Sequence, residues 1–379
     1  MATSAERIKV VHIVTRMNTG GVAVLIGNLM KGLDPNKFDL TLITGSCDST
    51  EEDYLEKIAT SIPFLKVESL QRAISPRQDF VTFIKLWKIL RTIKPDIVHT
   101  HTSKAGLIGR TVSRFAAPSA KRVHTFHGHL LDGYFSPAKT KLITNLESSL
   151  AKKTHALIAM GNQVKNDLLK VGVGSEYKFS VFFPGLKPAV INSKDDSKKN
   201  LEINPSLATC LFVGRLTQIK RPDRLLDAIA ILKSKGVQFE FLIAGDGELS
   251  EYVSTRISKE ELPVKTLGWV KDTSLAFSAS DIMVLCSDNE AVSLVLIEGS
   301  QFGLPLVSTN VGSVSDVVID HSTGYLTEST PEALADAIEK LVRDPQLRQM
   351  MGAAGKAHAE RYFSLDRMIK DHSDLYRSL

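Results

Sequence analysis

Short apolar runs separated by helix-length segments recur along nearly the whole chain. Ile8–Val14 ends in the turn Asn18-Thr19-Gly20-Gly21, followed by a helix over about 24–33 and the run Phe38–Thr44. Residues 79–94 read as a helix, 96–100 as a strand, 105–114 as a helix, and 122–126 and 156–160 as strands. Strands that alternate with helices are joined by crossovers, which makes the sheet parallel and doubly wound. Residues 187–200 are polar and charged and interrupt the pattern. It then restarts at Cys210–Val213, with a helix over 222–235 and runs at 239–244, 264–267 and 282–285. The chain is therefore expected to form two α/β domains, 1–186 and 201–361, joined by a linker at 187–200. The tail 362–379 is amphipathic and helical and is expected to pack back on the first domain.

Composition narrows the class. At 43% hydrophobic and 23% charged residues the chain reads as an ordinary globular protein. Its three cysteines are far apart, so no disulfide framework or zinc-ligand spacing is implied, and a reducing compartment fits. Residues 1–7 lack an apolar core segment and no run approaches the length of a membrane span, so neither a signal peptide nor a transmembrane helix is expected. Residues 1–187 carry 26 Lys and Arg against 15 Asp and Glu, and the remainder 21 against 27. A basic first half suits a phosphate-rich ligand or an anionic membrane face. No nucleic-acid motif accompanies the charge. Residues 80–91 form an amphipathic stretch with cations at 85, 88, 91 and 94. It suits either a membrane surface or, with greater prior weight, a sheet-covering helix with a solvated face.

Several stretches can carry chemistry. Glu290 and Glu298, with seven residues between them, follow the apolar strand 282–285. The first stands at the mouth of a strand–loop–helix unit and the second about two turns into the helix, where open α/β sheets bind ligands. Two isolated surface glutamates would show the same spacing. Gly20-Gly21 suits close backbone approach to a ligand, or simply a tight turn. Arg215 and Lys220 stand just beyond a strand and can neutralise a diphosphate, or form an ordinary surface pair. Gly245-Asp246-Gly247 lacks the third glycine of a dinucleotide fingerprint, since Ser250 stands there. The run His124-Thr125-Phe126-His127-Gly128-His129 ends a strand, where a histidine can bind a sugar hydroxyl or act as acid or base. Strand alternation sends neighbouring residues to opposite faces, so these histidines are not expected to hold a metal.

Taken in order, these stretches resemble the retaining GT-B glycosyltransferases of the glycosyltransferase 4 family. The resemblance rests on Gly20-Gly21, His99 to Gly106, His124 to His129, Gly214-Arg215-Leu216 with Lys220, Gly245-Asp246-Gly247, Leu267-Gly268, and Glu290 with Glu298. His101–Gly109 and Gly128–Pro137 are most similar to bacterial cell-surface polysaccharide members. The resemblance implies two Rossmann-like doubly wound parallel-sheet domains facing across a cleft, with the donor held mainly by the second. It implies that Arg215 and Lys220, with the amides of Val292, Ser293 and Leu294 at a helix start, bind the donor diphosphate. Leu267 and Glu298 would bind the nucleoside. His127 and Glu290 would serve catalysis at the sugar, and Gly20 and Gly21 would line the phosphate and acceptor side. Family members need no metal, so no cofactor is expected.

The resemblance also implies the reaction: transfer of a sugar from a nucleotide-diphosphate donor, UDP-linked, to a cell-envelope glycan or lipid-linked acceptor. Configuration would be retained, with the leaving phosphate assisting deprotonation of the acceptor. The work would be cytoplasmic, peripheral at the inner membrane face. A nucleotide-sugar epimerase or a non-catalytic nucleotide-sugar-binding protein would share much of the pattern. Ala291 and Ser293 stand where the family has Gly and Pro, and Ala291 would be strained if the loop required a left-handed backbone. Lys187 replaces a common acidic residue at the expected hinge.

Overall fold

The computed structural model describes residues 7–48, 51–58, 61–128 and 137–379. His129 and most of the Gly128–Pro137 stretch lie outside the described residues. The chain forms two compact units. One holds the chain up to Gly185 together with Leu365–Leu379, and the other is Leu186–Ser364.

The first unit is built on strands β1 (Ile8–Val14), β2 (Phe38–Thr44), β3 (Phe64–Lys66), β4 (Ile97–His101), β5 (Lys121–Phe126), β6 (Ala156–Ala159) and β7 (Phe179–Val181). They form one sheet in the order β3-β2-β1-β4-β5-β6-β7, every pair parallel. The second unit uses β8 (Ala208–Val213), β9 (Phe239–Ala244), β10 (Val264–Gly268), β11 (Ile282–Leu285), β12 (Leu306–Thr309) and β13 (Gly324–Thr327). Their order is β10-β9-β8-β11-β12-β13, again parallel throughout. Both sheets are covered by crossover helices, and the central strand β11 of the second is apolar on both faces for that reason. Ile282, Met283, Val284 and Leu285 of β11 are fully buried, and each such side chain contributes about 1.5–3 kcal/mol by leaving water.

In each sheet the strand order reverses at one point, between β1 and β4 and between β8 and β11. Loops leaving adjacent strands there run to opposite sides of the sheet, which opens a crevice at the carboxyl ends of the strands. This topology positions both groups of candidate residues described below.

The C-terminal helix Leu365–Ser378 belongs to the first unit. Its buried residues Met368, His372 and Tyr376 recur every four positions, so one stripe faces inward. It lies close to the helix Gly21–Gly32, where a Cβ on Gly32 would stand 2.0 Å from Ile369 Cδ1. The stretch 187–200 belongs to the second unit. Lys194–Asn200 is a helix capped by Ser193, with Lys198 buried and donating to the Leu207 carbonyl at 2.8 Å. Its charges look like a solvated linker in composition. In the fold Lys194 and Lys198 neutralise Asp281, at 2.5 and 3.4 Å.

Candidate active site

In the second unit, the loops after β8 and β11 leave the two strands flanking the reversal. The first carries Arg215 and Lys220. Lys220 ends a single turn of 3-10 helix, Gln218–Lys220, and Arg221 takes a left-handed backbone (φ 52°) before the helix Pro222–Ser234 begins. Such a conformation costs a non-glycine residue about 1–3 kcal/mol and persists only where its surroundings hold it. Here Arg221 is held by Asp223 at 2.8 Å and Asp288 at 3.1 Å, and the nearly buried Arg224 also reaches Asp288, at 2.7 Å. Asp288 N donates to the Ile219 carbonyl at 2.9 Å. These contacts tie the loop of Lys220 to the loop of Glu290.

Lys220 and Glu290 form an ion pair, and Ser287 Oγ donates to the same Glu290 oxygen at 2.6 Å. Both charges are mostly buried, with side-chain exposures of 19% and 10%. The reading from sequence gave the two residues separate tasks, whereas the fold places them in contact. The Glu290 backbone is fixed as well: Ser313 N donates to its carbonyl at 3.3 Å, and Gly312 packs against it (φ 53°). A Cβ on Gly312 would stand 1.8 Å from Glu290 O. The side-chain oxygens of Ser313 and Thr217 are buried without a partner among the described residues. Ser287, Gly312 and Ser313 escaped sequence reading, because nothing in their spacing links them to Glu290.

Arg215 is exposed and its side chain makes no hydrogen bond or ion pair among the described residues. Val292 and Ser293 are buried, Ser293 precedes the helix Leu294–Gln301, and no acidic residue occupies its first turn. The helix start is thus an electropositive end with no acidic residue of its own in the first turn. Glu298 lies in the second turn of this helix and is half-buried. Burial pushes its carboxyl up to about 7. Leu267 is half-buried near the end of β10, followed by Gly268 (φ 65°) and the exposed Trp269. Ala291 has no left-handed backbone, so the strain considered for it does not arise.

In the first unit, Gly20 precedes the helix Gly21–Gly32 and both glycines are exposed. Gly20 has extended backbone (φ 168°) and a Cβ there would meet nothing closer than 3.8 Å. Internal sterics do not demand glycine at this position. Across the reversal, Thr102 before the helix Ser103–Ala116 has φ 64°, unusual for a β-branched residue. Its hydroxyl meets that of Thr15 at 2.8 Å.

The histidines separate by face. His124 points to one side, its Nδ1 2.9 Å from Thr100 Oγ1. His127 points to the other, its Nε2 3.0 Å from His101 Nδ1. Register places His99 beside His12 and Thr125 beside His101, all on the side of His127. Ring nitrogens of His12, His99 and His101 lie within 4.8 Å of one another, close enough for three ligands of one ion. They are engaged in hydrogen bonds to each other, to Tyr376, to Thr125 and to His127, which closing on an ion would break. Burial holds all of these imidazoles far on the neutral side: His12 falls to about 3 and His127 to about 4, with His99 and His101 well below the usual histidine range.

Comparison with known proteins bears on this arrangement. Residues 19–186 match the model of Glycosyltransferase Family 4, and residues 193–358 that of Glycosyl transferases group 1. The chain belongs to the glycosyltransferase 4 family. It is a glycosyltransferase with the GT-B fold. A UDP-Gal:alpha-D-GlcNAc-diphosphoundecaprenol alpha-1,3-galactosyltransferase of Escherichia coli is 29% identical over 99% of this chain and 98% of its own length. The capsular polysaccharide biosynthesis glycosyltransferase CapM of Staphylococcus aureus is 25% identical over 98% of this chain and 97% of its own. The solved structure of Anabaena Alr3699/HepE in complex with UDP superposes with a TM-score of 0.82 at 20% identity, covering 99% of this chain and all of that one. No helix among the described residues of this glycosyltransferase is long and apolar enough to cross a membrane.

Proposed function

We propose that this glycosyltransferase moves a sugar from a UDP-sugar, with retention, to a lipid-linked or glycan acceptor of the bacterial cell envelope. The observation that carries the reading is the Lys220–Glu290 pair at the reversal of the second sheet, with Arg215 uncommitted on the same loop. A departing nucleoside diphosphate needs positive charge, and Lys220, Arg215 and the helix start at Val292–Leu294 supply it. These groups take the part a metal plays elsewhere, so we assign the enzyme no metal and no cofactor. Glu290, held by Lys220 and Ser287, is a poor nucleophile and a good acceptor for sugar hydroxyls. This favours a route in which the leaving phosphate itself takes the acceptor proton. Glu298 is assigned to the ribose hydroxyls and the backbone at Leu267 to the base. His127 and the Gly20–Gly21 loop are assigned to the sugar and the acceptor. The named activities of the relatives in Escherichia coli and Staphylococcus aureus support a UDP donor and an envelope glycan product.

The test is a panel of nucleotide-sugars screened by thermal shift, followed by nucleoside-diphosphate release with and without polyprenyl-diphosphate-linked sugars. Expected is one donor whose release rises with acceptor. Arg215→Ala and Lys220→Ala should each weaken donor binding by about 10-fold or more, the value of a charge-assisted hydrogen bond. Normal donor binding by both variants would refute the diphosphate assignment.

The helix Pro76–Ile93 supports placement at the cytoplasmic membrane face. It buries Thr82, Leu86 and Leu90, as a sheet-covering helix must. It also exposes Phe80 (66%) and Ile84 (39%), one turn apart, with Arg77, Lys85, Lys88 and Arg91 also exposed. Apolar residues ringed by cations suit an anionic bilayer surface.

A further inference from the structure

The buried rings of the first unit form one continuous chain of hydrogen bonds. Thr125 Oγ1 lies 2.7 Å from His99 Nε2, and His99 Nδ1 lies 2.6 Å from the Tyr376 hydroxyl. That hydroxyl is 3.5 Å from His12 Nε2, and His12 Nδ1 is 3.0 Å from His101 Nε2. His101 Nδ1 is 3.0 Å from His127 Nε2. The chain ends at His127 Nδ1, which is buried and has no partner among the described residues.

Each ring here is neutral and carries one hydrogen, so fixing one tautomer fixes the next. Two arrangements run in a single direction along the whole chain and satisfy every contact. In one, His127 Nε2 donates inward and each group donates on toward Thr125. This leaves two atoms unmet, the Thr125 hydroxyl hydrogen and the His127 Nδ1 lone pair. In the other, Thr125 donates to His99, His99 to Tyr376, Tyr376 to His12, His12 to His101, and His101 to His127. Then the single group unmet among the described residues is an N–H on His127 Nδ1. In one mixture the Tyr376 oxygen accepts from both His99 and His12, which leaves its own hydrogen and the His127 Nδ1 lone pair unmet; every other mixture sets two lone pairs or two hydrogens face to face in a dry interior, which is costly. The second arrangement wastes less. His124 and His372 lie outside the chain, committed to Thr100 and to the Met368 carbonyl.

We infer that Thr125, His99, Tyr376, His12 and His101 hold His127 as its neutral Nδ1–H tautomer, so that it presents a fixed hydrogen-bond donor to the sugar or to a developing oxyanion. The inference rests on the proposed placing of His127 at the transferred sugar. A neutral donor suits that task, because an imidazolium would repel the positive charge that develops at the sugar carbon. Tyr376 and the inner histidines act through His127 and are positioning residues. The C-terminal helix is thereby joined to the chemistry through one phenol.

The test is long-range nitrogen–proton correlation NMR of the histidine rings in the full chain, with turnover measured on the same samples. The wild-type spectrum should show His127 protonated at Nδ1. Tyr376→Phe removes the link between His99 and His12 and should bring in the Nε2–H form, with kcat falling at least about 10-fold and donor KM unchanged. A fully wrong tautomer in a comparable hydrogen-bonded site costs about 10⁴-fold. Thr125→Val, of nearly the same shape, removes the first donor and should do the same if Tyr376→Phe fails to fold. Thr125→Ser should restore both signals. An Nε2–H form in the wild type, or ring shifts of His127 unmoved by both variants, would overturn the inference. A tautomer that moves while turnover does not would leave the chain standing and refute the placing of His127 at the sugar.

Discussion

Replacing Glu298 with Gln separates what this residue costs the fold from what it does for the donor. Its carboxyl is raised from 4.5 to about 7 by burial, so the folded protein resists charging it by up to about 3 kcal/mol. Below pH 4.5 the group is neutral folded and unfolded, and the cost vanishes. Between 4.5 and 7 only the unfolded chain ionises, so stability declines as pH rises. Above 7 the whole cost is present. Glu298→Gln keeps the shape and removes the charge. It should raise the melting temperature at pH 8 by several degrees, at about 2–4 °C per kcal/mol for a unit of this size, and by little at pH 4.5. Solvent reaching the half-buried carboxylate makes the lower end of that range the safer figure.

The donor should respond in the opposite sense. An ionised Glu298 accepts two ribose hydroxyls far better than an amide does, a difference of about 1.5–3 kcal/mol, or about 10- to 150-fold in affinity. Donor affinity of the wild type should therefore weaken as pH falls below about 7, and that of Glu298→Gln should be weak and flat. Calorimetric titration with the donor at pH 5.5, 7 and 8, beside melting curves, reads both effects. Equal stability of the two proteins at pH 8 would show that the carboxylate is not strained by burial. Equal donor affinity would refute the ribose assignment while leaving the stability argument intact.

Three further outcomes are expected. Gly312→Ala puts a Cβ 1.8 Å from the Glu290 carbonyl on a left-handed backbone and should cost about 2 kcal/mol or more of stability. It should also lower turnover through displaced Glu290, as steady-state kinetics beside denaturant melts would read; unaltered kinetics would show that the loop is not coupled to Glu290. The first unit should be acid-labile. His12, His99, His101, His124, His127 and His372 are all lowered from 6.5, chiefly by burial. Their stabilising effect is complete above pH 6.5 and is lost as pH falls below it, at about 1.4 kcal/mol per pH unit for each. Hydrogen exchange at pH 7 and 5.5 should show protection falling in β4 and β5 and not in β8 and β11. Finally, the protein should sediment with vesicles containing phosphatidylglycerol and not with pure phosphatidylcholine. Phe80→Asp combined with Lys88→Glu should abolish this without changing donor release, and retained binding would discard the helix Pro76–Ile93 as the membrane face.

Local pattern carried the fold well where strands were apolar and buried. β1, β2, β8, β9 and β11 stand out as branched aliphatic runs ending in turns. β3 and β7 have three residues each, and β13, although as long as the fully buried β11, is half-buried at its centre; all three lie at sheet edges, where pairing rather than composition defines them. The stretch 187–200 misled for a related reason. Composition reports solvation on average, whereas Lys198 is buried against one carboxylate that is distant in sequence. The candidate site divides in the same way. Arg215, Lys220, Glu290 and Glu298 follow strand ends, and position in a strand–loop–helix unit is written locally. That Lys220 touches Glu290 is not, since the contact exists only because β8 and β11 are neighbours across the strand-order reversal. The histidine chain lies furthest beyond a local reading. His12, His99, His101, His127 and Tyr376 come from β1, β4, the end of β5 and the last helix. Read one at a time, each is an ordinary buried residue. Parallel register aligns the first three on one face, and the C-terminal helix closes the line with a hydroxyl 277 residues from His99. The polar core of the first unit is therefore a property of topology. Tyr376→Phe, in the last turn of the C-terminal helix, should therefore change the proton position on a ring at the end of β5, where no motif reading would look for it.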